Sequence, residues 1–319
     1  MKRSVQRSRW YRAARLTVML GIVMLALRVG GCAERLFYLP TREPTPAPRG
    51  FDGARVVRFE SRDGTKLVGW FIPAQRAHGA SRDTAPRAKG EPSGTGADDR
   101  APTVLHVHGN AGSINGHFGF TEHLPDAGFN LFLFDYRGYG ESEGRATRRE
   151  ALIEDAVAAC EAMMAQPEVD AARVALFGQS LGGAIGVNLL ARKAVFRCGV
   201  LESPFASWRL AAATALGGGE PGVFARGLAW LLIHDRDRPT DAIAQVRVPI
   251  LIVHGDADRV VPIVHGRLLR DAAPDRVTLL EFSGGDHNTL ADTHPESRRA
   301  VIDFLRRHLS DERGAQPER

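Results

Sequence analysis

The 319-residue sequence contains one segment whose residue types and spacing suit an activated nucleophile, Gly178-Gln179-Ser180-Leu181-Gly182. It directly follows the apolar run 174–177 and directly precedes a segment of helical pattern. Ser180 therefore falls at a strand-to-helix turn, the context that a G-x-S-x-G elbow requires. In so tight a turn Gly178 and Gly182 must lack side chains for strand and helix to approach. The turn lifts the serine hydroxyl above the sheet at a helix N-terminus, where Leu181 offers a backbone N–H. A serine hydroxyl is a weak nucleophile and needs a base oriented by an acid. Downstream, the run 250–253 opens into His254-Gly255-Asp256-Ala257-Asp258, and the run 277–282 into Gly284-Gly285-Asp286-His287-Asn288. Serine, then acid, then histidine, each just past a strand, are the parts of an acyl-transfer site, in the chain order of a doubly wound sheet. His287 stands where the base belongs, and Asp256 and Asp258 both stand where the acid belongs. A lone Asp is commonly a turn or cap residue and a lone His a solvated loop residue. Three such residues on the right loops in the right order are hard to ascribe to coincidence.

Other chemistries find less support. Gly138-x-Gly140 after a strand resembles part of a dinucleotide loop, but the third glycine comes one place late, and Arg137 and Glu141 flank the pair. The sequence has no Gly-Lys-Ser/Thr for a phosphate-binding loop. His106-x-His108 lacks the following cluster that a metal site would need, and His106 fits a strand position, so no metal and no organic cofactor are expected. Hydrolases that use Cys or Asp as the nucleophile would need that residue where Ser180 stands.

These residues must be held by a scaffold, and the runs around them describe one. Short apolar runs at 104–107, 131–134, 174–177, 199–201, 250–253 and 277–282 suit strands buried on both faces. Segments of helical length lie between them at 148–165, 181–193, 262–273 and 294–309. Strand-helix alternation predicts an α/β fold with a mostly parallel central sheet, helices on both faces and ligands at the carboxyl ends of the strands. Before this core, the runs 56–60 and 66–72 flank Asp63-Gly64, a hairpin signal. Residues 74–102 carry almost no large apolar side chain and are expected to be a flexible insertion. Residues 203–246 break the rhythm with helical pieces and Gly217-Gly218-Gly219, and are expected to form a small lid.

The charge is unevenly spread. The net charge is +5, but residues 1–31 hold seven basic residues and no acid, which leaves −2 on everything after them. A basic total would by itself suggest nucleic acid; this distribution implies no phosphate-tracking surface. The basic leader precedes a twelve-residue apolar run, 16–27, and then Val29-Gly30-Gly31-Cys32. A charged start, a short apolar run and small residues make an export signal. Twelve residues rise only about 18 Å as a helix, against a hydrocarbon core of about 30 Å. The expectation is a signal peptide or signal anchor over 1–31 with the body exported to the cell envelope, and lipidation of Cys32 is favoured over a retained anchor. Residues 32–50, which include the Pro-rich stretch 41–50, are expected to be a membrane-proximal linker, 51–309 the catalytic domain and 310–319 a polar tail. Cys160 and Cys198 lie within apolar stretches and are expected to be buried small hydrophobes.

At this point the sequence resembles the α/β-hydrolase superfamily, closest to its small membrane-anchored BEM46-like and ABHD13/ABHD17-like serine hydrolases. The resemblance covers about residues 51–309. It rests on His108-Gly109-Asn110-Ala111-Gly112, Asp135-Tyr136-Arg137-Gly138-Tyr139-Gly140, the Ser180 elbow, and the Asp258 and His287 loops. It implies an α/β-hydrolase fold with Asp258, the second Asp of its loop, as the acid. It also implies an oxyanion hole formed by the backbone N–H groups of Asn110 and Leu181. The segment 135–140 is expected to turn the chain beside the site. The insertion at 74–102 departs from the family pattern. The implied activity is serine hydrolysis of a small acyl ester or thioester, lipid-derived ones included. The membrane would be met through the N-terminus, with no nucleic acid and no obligate protein partner. A peptidase or amidase with the same triad, or a non-catalytic hydrolase-fold binding protein of the envelope, are the alternatives. The sequence lacks an accessory propeller or gating domain that would favour the first, and a binding protein has no need of all three triad residues.

Overall fold

The computed structural model describes residues 34–75 and 100–310 of the chain. The leader 1–31, Cys32 and the tail from 311 onward lie outside the described residues, as does most of the insertion, 76–99. In chain order the elements are β1 (Arg55–Glu60), β2 (Lys66–Ile72), β3 (Thr103–Val107), α1 (Ile114–His117), β4 (Asn130–Asp135), α2 (Arg149–Met164), β5 (Val174–Gln179), α3 (Leu181–Arg192), β6 (Cys198–Glu202), α4 (Trp208–Gly217), α5 (Val223–Leu232), α6 (Pro239–Ile243), β7 (Ile250–Gly255), α7 (Val264–Ala272), β8 (Val277–Phe282), α8 (Leu290–Thr293) and α9 (Pro295–Leu309). The strands form one eight-stranded sheet in the order β1-β2-β4-β3-β5-β6-β7-β8. β1 and β2 form the expected hairpin and β2 joins β4 antiparallel, while β4, β3, β5, β6, β7 and β8 run parallel. This is the α/β-hydrolase fold.

Continuous apolar runs become strands here because both faces of the sheet are covered. On one face Phe71, Leu105, Val107, Phe132, Phe134 and Leu176 pack with Leu152 and Ile153 of α2 and Ile185 and Leu189 of α3. On the other Trp70, Val104, Leu131, Phe177 and Val200 pack with Val301, Phe304 and Leu305 of α9. Cys160 and Cys198 are free and buried, as expected. Among the described residues no helix is long and apolar enough to cross a membrane.

Within the expected linker, residues 41–45 lie bound along the domain. Arg42 donates to the carbonyls of Ser142 and Gly144, and the Thr45 N–H donates to Glu141. Ser113 bonds the Glu43 carboxylate, and the indole N–H of Trp70 donates to the Thr45 carbonyl at 2.9 Å. The backbone polar groups that a Pro-rich stretch cannot pair internally are paired with these loops instead. The described ends of the insertion are also fixed. Asn130 accepts the Ala74 N–H at its Oδ1 and donates to the Ala101 carbonyl from its Nδ2. Its backbone N–H donates to the Pro102 carbonyl.

The segment 203–246 carries α4, α5 and α6 and grows from the carboxyl end of β6. The Asp235 carboxylate accepts the Ser207 hydroxyl and the Trp208 and Arg209 N–H groups, which ties the start of α4 to the chain after α5. Trp208, Phe205 and Phe37 meet edge to face.

Candidate active site

Ser180 stands between β5 and α3 with φ 52° and ψ −113°. That left-handed backbone is costly for a side-chain-bearing residue and is the strain expected of a nucleophile elbow. Its neighbours hold it in place. The Ser180 N–H donates to the Glu202 carbonyl of β6 at 2.9 Å. A Cβ on Gly182 would collide with the Val107 carbonyl oxygen, and one on Gly178 would sit 2.6 Å from the Gly182 carbonyl oxygen. The close approach inferred from the sequence is therefore present at both glycines.

The loops after β7 and β8 bring two further side chains to the serine. His287 Nε2 lies 3.0 Å from Ser180 Oγ, and His287 Nδ1 lies 2.6 Å from Asp258 Oδ2. The imidazole and the carboxylate are both buried. The other Asp258 oxygen accepts the N–H groups of Val260 and Val261 at 2.9 and 2.7 Å. Burial alone would raise the Asp258 pKa. Hydrogen bonds from His254 and His287 and the backbone donor outweigh it and hold the carboxyl well below the usual carboxylate range. A charged Asp258 accepts at Nδ1, so the Nδ1 of His287 carries the proton and Nε2 is left to accept from the Ser180 hydroxyl. Asp256, the other acid on this loop, is exposed and accepts the Gly284 N–H instead.

The two proposed oxyanion donors lie on neighbouring loops. Among the described residues neither the Asn110 nor the Leu181 N–H donates to a protein acceptor. For Leu181 this follows from its place as the first residue of α3, where helical N–H groups have no partner within the helix. The loop 109–112 turns sharply, with Ala111 at φ 65° and Gly112 at φ 74°. The Asn110 side chain is clasped on three sides. Its Oδ1 accepts the Leu39 N–H at 3.1 Å and the Tyr139 hydroxyl at 2.9 Å, and its Nδ2 donates to the Phe37 carbonyl at 2.5 Å. The segment 34–45, a strap laid over this loop, is cross-bonded to Gly112, the Gly112 N–H to the Leu39 carbonyl and the Thr41 N–H to the Gly112 carbonyl.

The segment 135–140 supports this loop from behind, as the sequence suggested. The Tyr136 hydroxyl donates to the His108 carbonyl at 2.9 Å, and Asp135 Oδ1 accepts the Ile114 N–H. Arg137 grips Asp155 of α2 and Asp63 of the hairpin turn at 2.7 and 2.6 Å. Burial pushes Asp135 up to about 7, and burial pushes the Glu202 carboxyl up to about 8. Among the described residues no cluster of His, Cys, Asp and Glu has a metal-binding arrangement. His106 is a core residue bonded to Thr121 Oγ1 at 2.8 Å.

Sequence reasoning missed four contributors. His254 Nε2 lies 2.8 Å from the Val261 carbonyl and 3.4 Å from Asp258 Oδ2, steadying the acid loop. Its position at a strand end, two residues before Asp256, was the available signal. Tyr139 was within a recognised motif, but its bond to Asn110 was not foreseeable. The strap residues Phe37 and Leu39 gave no signal, since they bond Asn110 through backbone atoms.

The sequence pattern of the prolyl oligopeptidase family matches residues 117–312, which include Ser180, Asp258 and His287. The chain belongs to the prolyl oligopeptidase family. With this membership and an α/β-hydrolase fold it is a serine hydrolase. It is 32% identical over 257 residues to the uncharacterized protein YfhR of Escherichia coli K12, covering 79% of this chain and 80% of that one. Among solved structures it is similar in fold to the esterase Pf2001 of Pyrococcus furiosus, with a TM-score of 0.64 at 21% identity, over 85% of this chain and 100% of the esterase. A puromycin-hydrolyzing peptidase of Mycobacterium tuberculosis shares the fold with a TM-score of 0.62 at 22% identity, over 83% of this chain and 41% of the peptidase.

Proposed function

We propose that this serine hydrolase cleaves carboxylic esters or thioesters of small acyl substrates, lipid-derived ones included, through an acyl-enzyme. The observation that carries the reading is the unbroken line from Ser180 Oγ through His287 to Asp258, at 3.0 and 2.6 Å. In the proposed reaction His287 Nε2 takes the hydroxyl proton as Ser180 attacks the acyl carbon, and Asp258 stabilises the imidazolium that forms. The Asn110 and Leu181 N–H groups receive the developing oxyanion, each such donor typically supplying about 3 kcal/mol. The imidazolium then protonates the leaving group. A water deprotonated by His287 releases the acid and restores the serine. Preference for esters over peptides is supported by the fold match, which spans the whole of the Pyrococcus esterase and 41% of the Mycobacterium peptidase. The family name favours a second reading, a peptidase working with the same three residues.

The narrower likeness to BEM46-like hydrolases belongs to this proposal and rests on the motifs 108–112 and 135–140. So does a place at the membrane, supported by the basic leader, the apolar run 16–27 and the Val29-Gly30-Gly31-Cys32 sequence. A fluorophosphonate probe should label Ser180 in the wild type and nothing in Ser180→Ala. Labelling elsewhere, or full labelling of the variant, would refute the nucleophile. Parallel assays with p-nitrophenyl esters of rising chain length and with peptide anilides decide between the readings. Faster turnover of anilides would make it a peptidase.

A further inference from the structure

The segment 203–246 presents an apolar face that the hydrolytic chemistry does not use. Val223 and Phe224 at the start of α5 are 90% and 86% exposed, Trp230 two turns later is 58% exposed, and Leu216 at the end of α4 is 55% exposed. The two helices pack against each other, so these four large apolar side chains are exposed on one small helical unit rather than scattered over the surface. The inward side of α5 is the one that holds the fold, with Ala229 and the following Ile233 buried. The charged residues of 208–232 are Arg209, Arg226 and Glu220. The Arg209 guanidinium lies 5.7 Å from the Trp230 ring centre. An indole beside a guanidinium group, together with aliphatic and phenyl side chains, is the chemistry of a lipid-water interface.

Where the described chain begins supports the same occupant. Glu34 accepts the backbone N–H and the Nε of Arg149, each at 2.8 Å, and the Arg149 guanidinium lies over the Trp208 ring at 4.5 Å. Trp208 is the first residue of α4. Seven residue steps separate Leu27, the end of the apolar run, from Glu34, and they span at most about 25 Å. A bilayer that holds 16–27 is therefore within reach of α4 and α5.

We propose that the face formed by Leu216, Val223, Phe224 and Trp230 seats on a lipid bilayer and orients the hydrolase there. The inference rests on the membrane reading of the leader given above. It deepens that reading, because the segment follows directly from β6, whose last residue holds the Ser180 N–H. Docking by this face would set the nucleophile's edge of the sheet beside acyl chains carried in the membrane.

The test uses the full chain with Trp10→Phe, mixed with vesicles of phosphatidylethanolamine and phosphatidylglycerol that contain brominated acyl chains. Trp70 and Trp208 are buried, so the difference between this protein and its Trp230→Phe derivative reports Trp230 alone. Seating predicts that the brominated chains remove more than about half of the Trp230 emission, and that Phe224→Asp abolishes this quenching. Turnover of a soluble p-nitrophenyl ester should be unchanged in Phe224→Asp, which reports an intact fold. A chain that floats with the vesicles while Trp230 stays unquenched by bromine and open to iodide overturns the docking and leaves the leader reading standing. A chain that does not float overturns both. Shielding of Trp230 in lipid-free solution, together with a dimeric mass, assigns the face to a second copy and overturns the proposal.

Discussion

Asp258 receives hydrogen bonds at both oxygens, two from backbone N–H groups on one and from His287 at 2.6 Å on the other, where His254 Nε2 also lies 3.4 Å away. Asp258→Asn keeps the shape but places a neutral amide against the imidazole, removing both the tautomer control and the charge that stabilises the imidazolium. It is expected to lower kcat by about four orders of magnitude. Asp256→Asn should stay within about threefold, because Asp256 only accepts the Gly284 N–H on an exposed loop. Steady-state ester kinetics check the pair, and the reverse ranking would move the acid to Asp256. Glu202 makes a prediction of a different kind. Its pKa rises from 4.5 to about 8 through burial, with Arg298 lowering it and Asp292 raising it. The folded state thus holds a proton that the unfolded state has lost over that interval. Its contribution to stability is full below about pH 4.5 and is lost as pH rises towards about 8. Asp135, raised to about 7, adds a slope of the same sign. Glu202→Gln, of equal size and without a charge to bury, should flatten the decline by an amount on the order of a few kcal/mol. Thermal denaturation at several pH values reads this. An unchanged slope in the variant would place the titration elsewhere.

At the scale of elements, the elbow depends on an approach between α3 and β3 that a single methyl group prevents. Gly182→Ala would drive a Cβ into the Val107 carbonyl oxygen, and backbone cannot yield as a side-chain tip would. The substitution should cost about 3 kcal/mol or more and displace Ser180 with it. Loss of both thermal stability and fluorophosphonate labelling is the expected outcome, and a variant with wild-type values would show that the turn is looser than described. This same turn was legible in the sequence because its requirement is local. Glycines at fixed offsets, a buried run before and a helical pattern after are all properties of adjacent residues. β3 to β7 were legible for a related reason, since strands covered on both faces carry their burial as continuous apolar runs, while the edge strand β8 keeps Thr278 and Glu281 exposed within its run. Ser180 and His287 followed from those strand ends. Asp256 and Asp258 share one loop, and the sequence separated them only through a family resemblance. The strap from 34 to 45 was not legible. Its residues have no periodicity, and the bonds that hold Asn110 run more than 70 residues along the chain from backbone groups that every sequence possesses. Glu202 was equally silent, because a polar residue closing a strand looks the same whether it is solvated or enclosed.

For the molecule as a whole, the strap means that the N-terminal region reaches the chemistry. Phe37 and Leu39 fix the Asn110 side chain, Leu39 and Thr41 bracket Gly112, and Glu43 bonds Ser113, so the loop of the proposed oxyanion donor Asn110 is held from outside the hydrolase core. Removing residues 1–33 leaves every one of these bonds in place. A chain beginning at Glu34 should therefore hydrolyse soluble esters at the full rate. A chain beginning at Val56 lacks the strap altogether. Its Asn110 amide loses two of three partners, the loop is free to turn its N–H away, and the loss of oxyanion stabilisation should lower kcat by about 100-fold or more. KM should move far less, because the donors act on charge that develops only in the transition state. The longer deletion also uncovers Trp208 and Phe205, which pack against Phe37, and some loss of thermal stability is expected with it. Tyr139→Phe separates the two effects. It removes the third partner of Asn110, a hydrogen bond worth about 1 kcal/mol, without exposing that surface. It should lower kcat by about threefold to tenfold with little change in Tm. If the chain from Val56 keeps the kcat of the chain from Glu34, the strap is packing alone, and the N-terminal segment has no hold on catalysis.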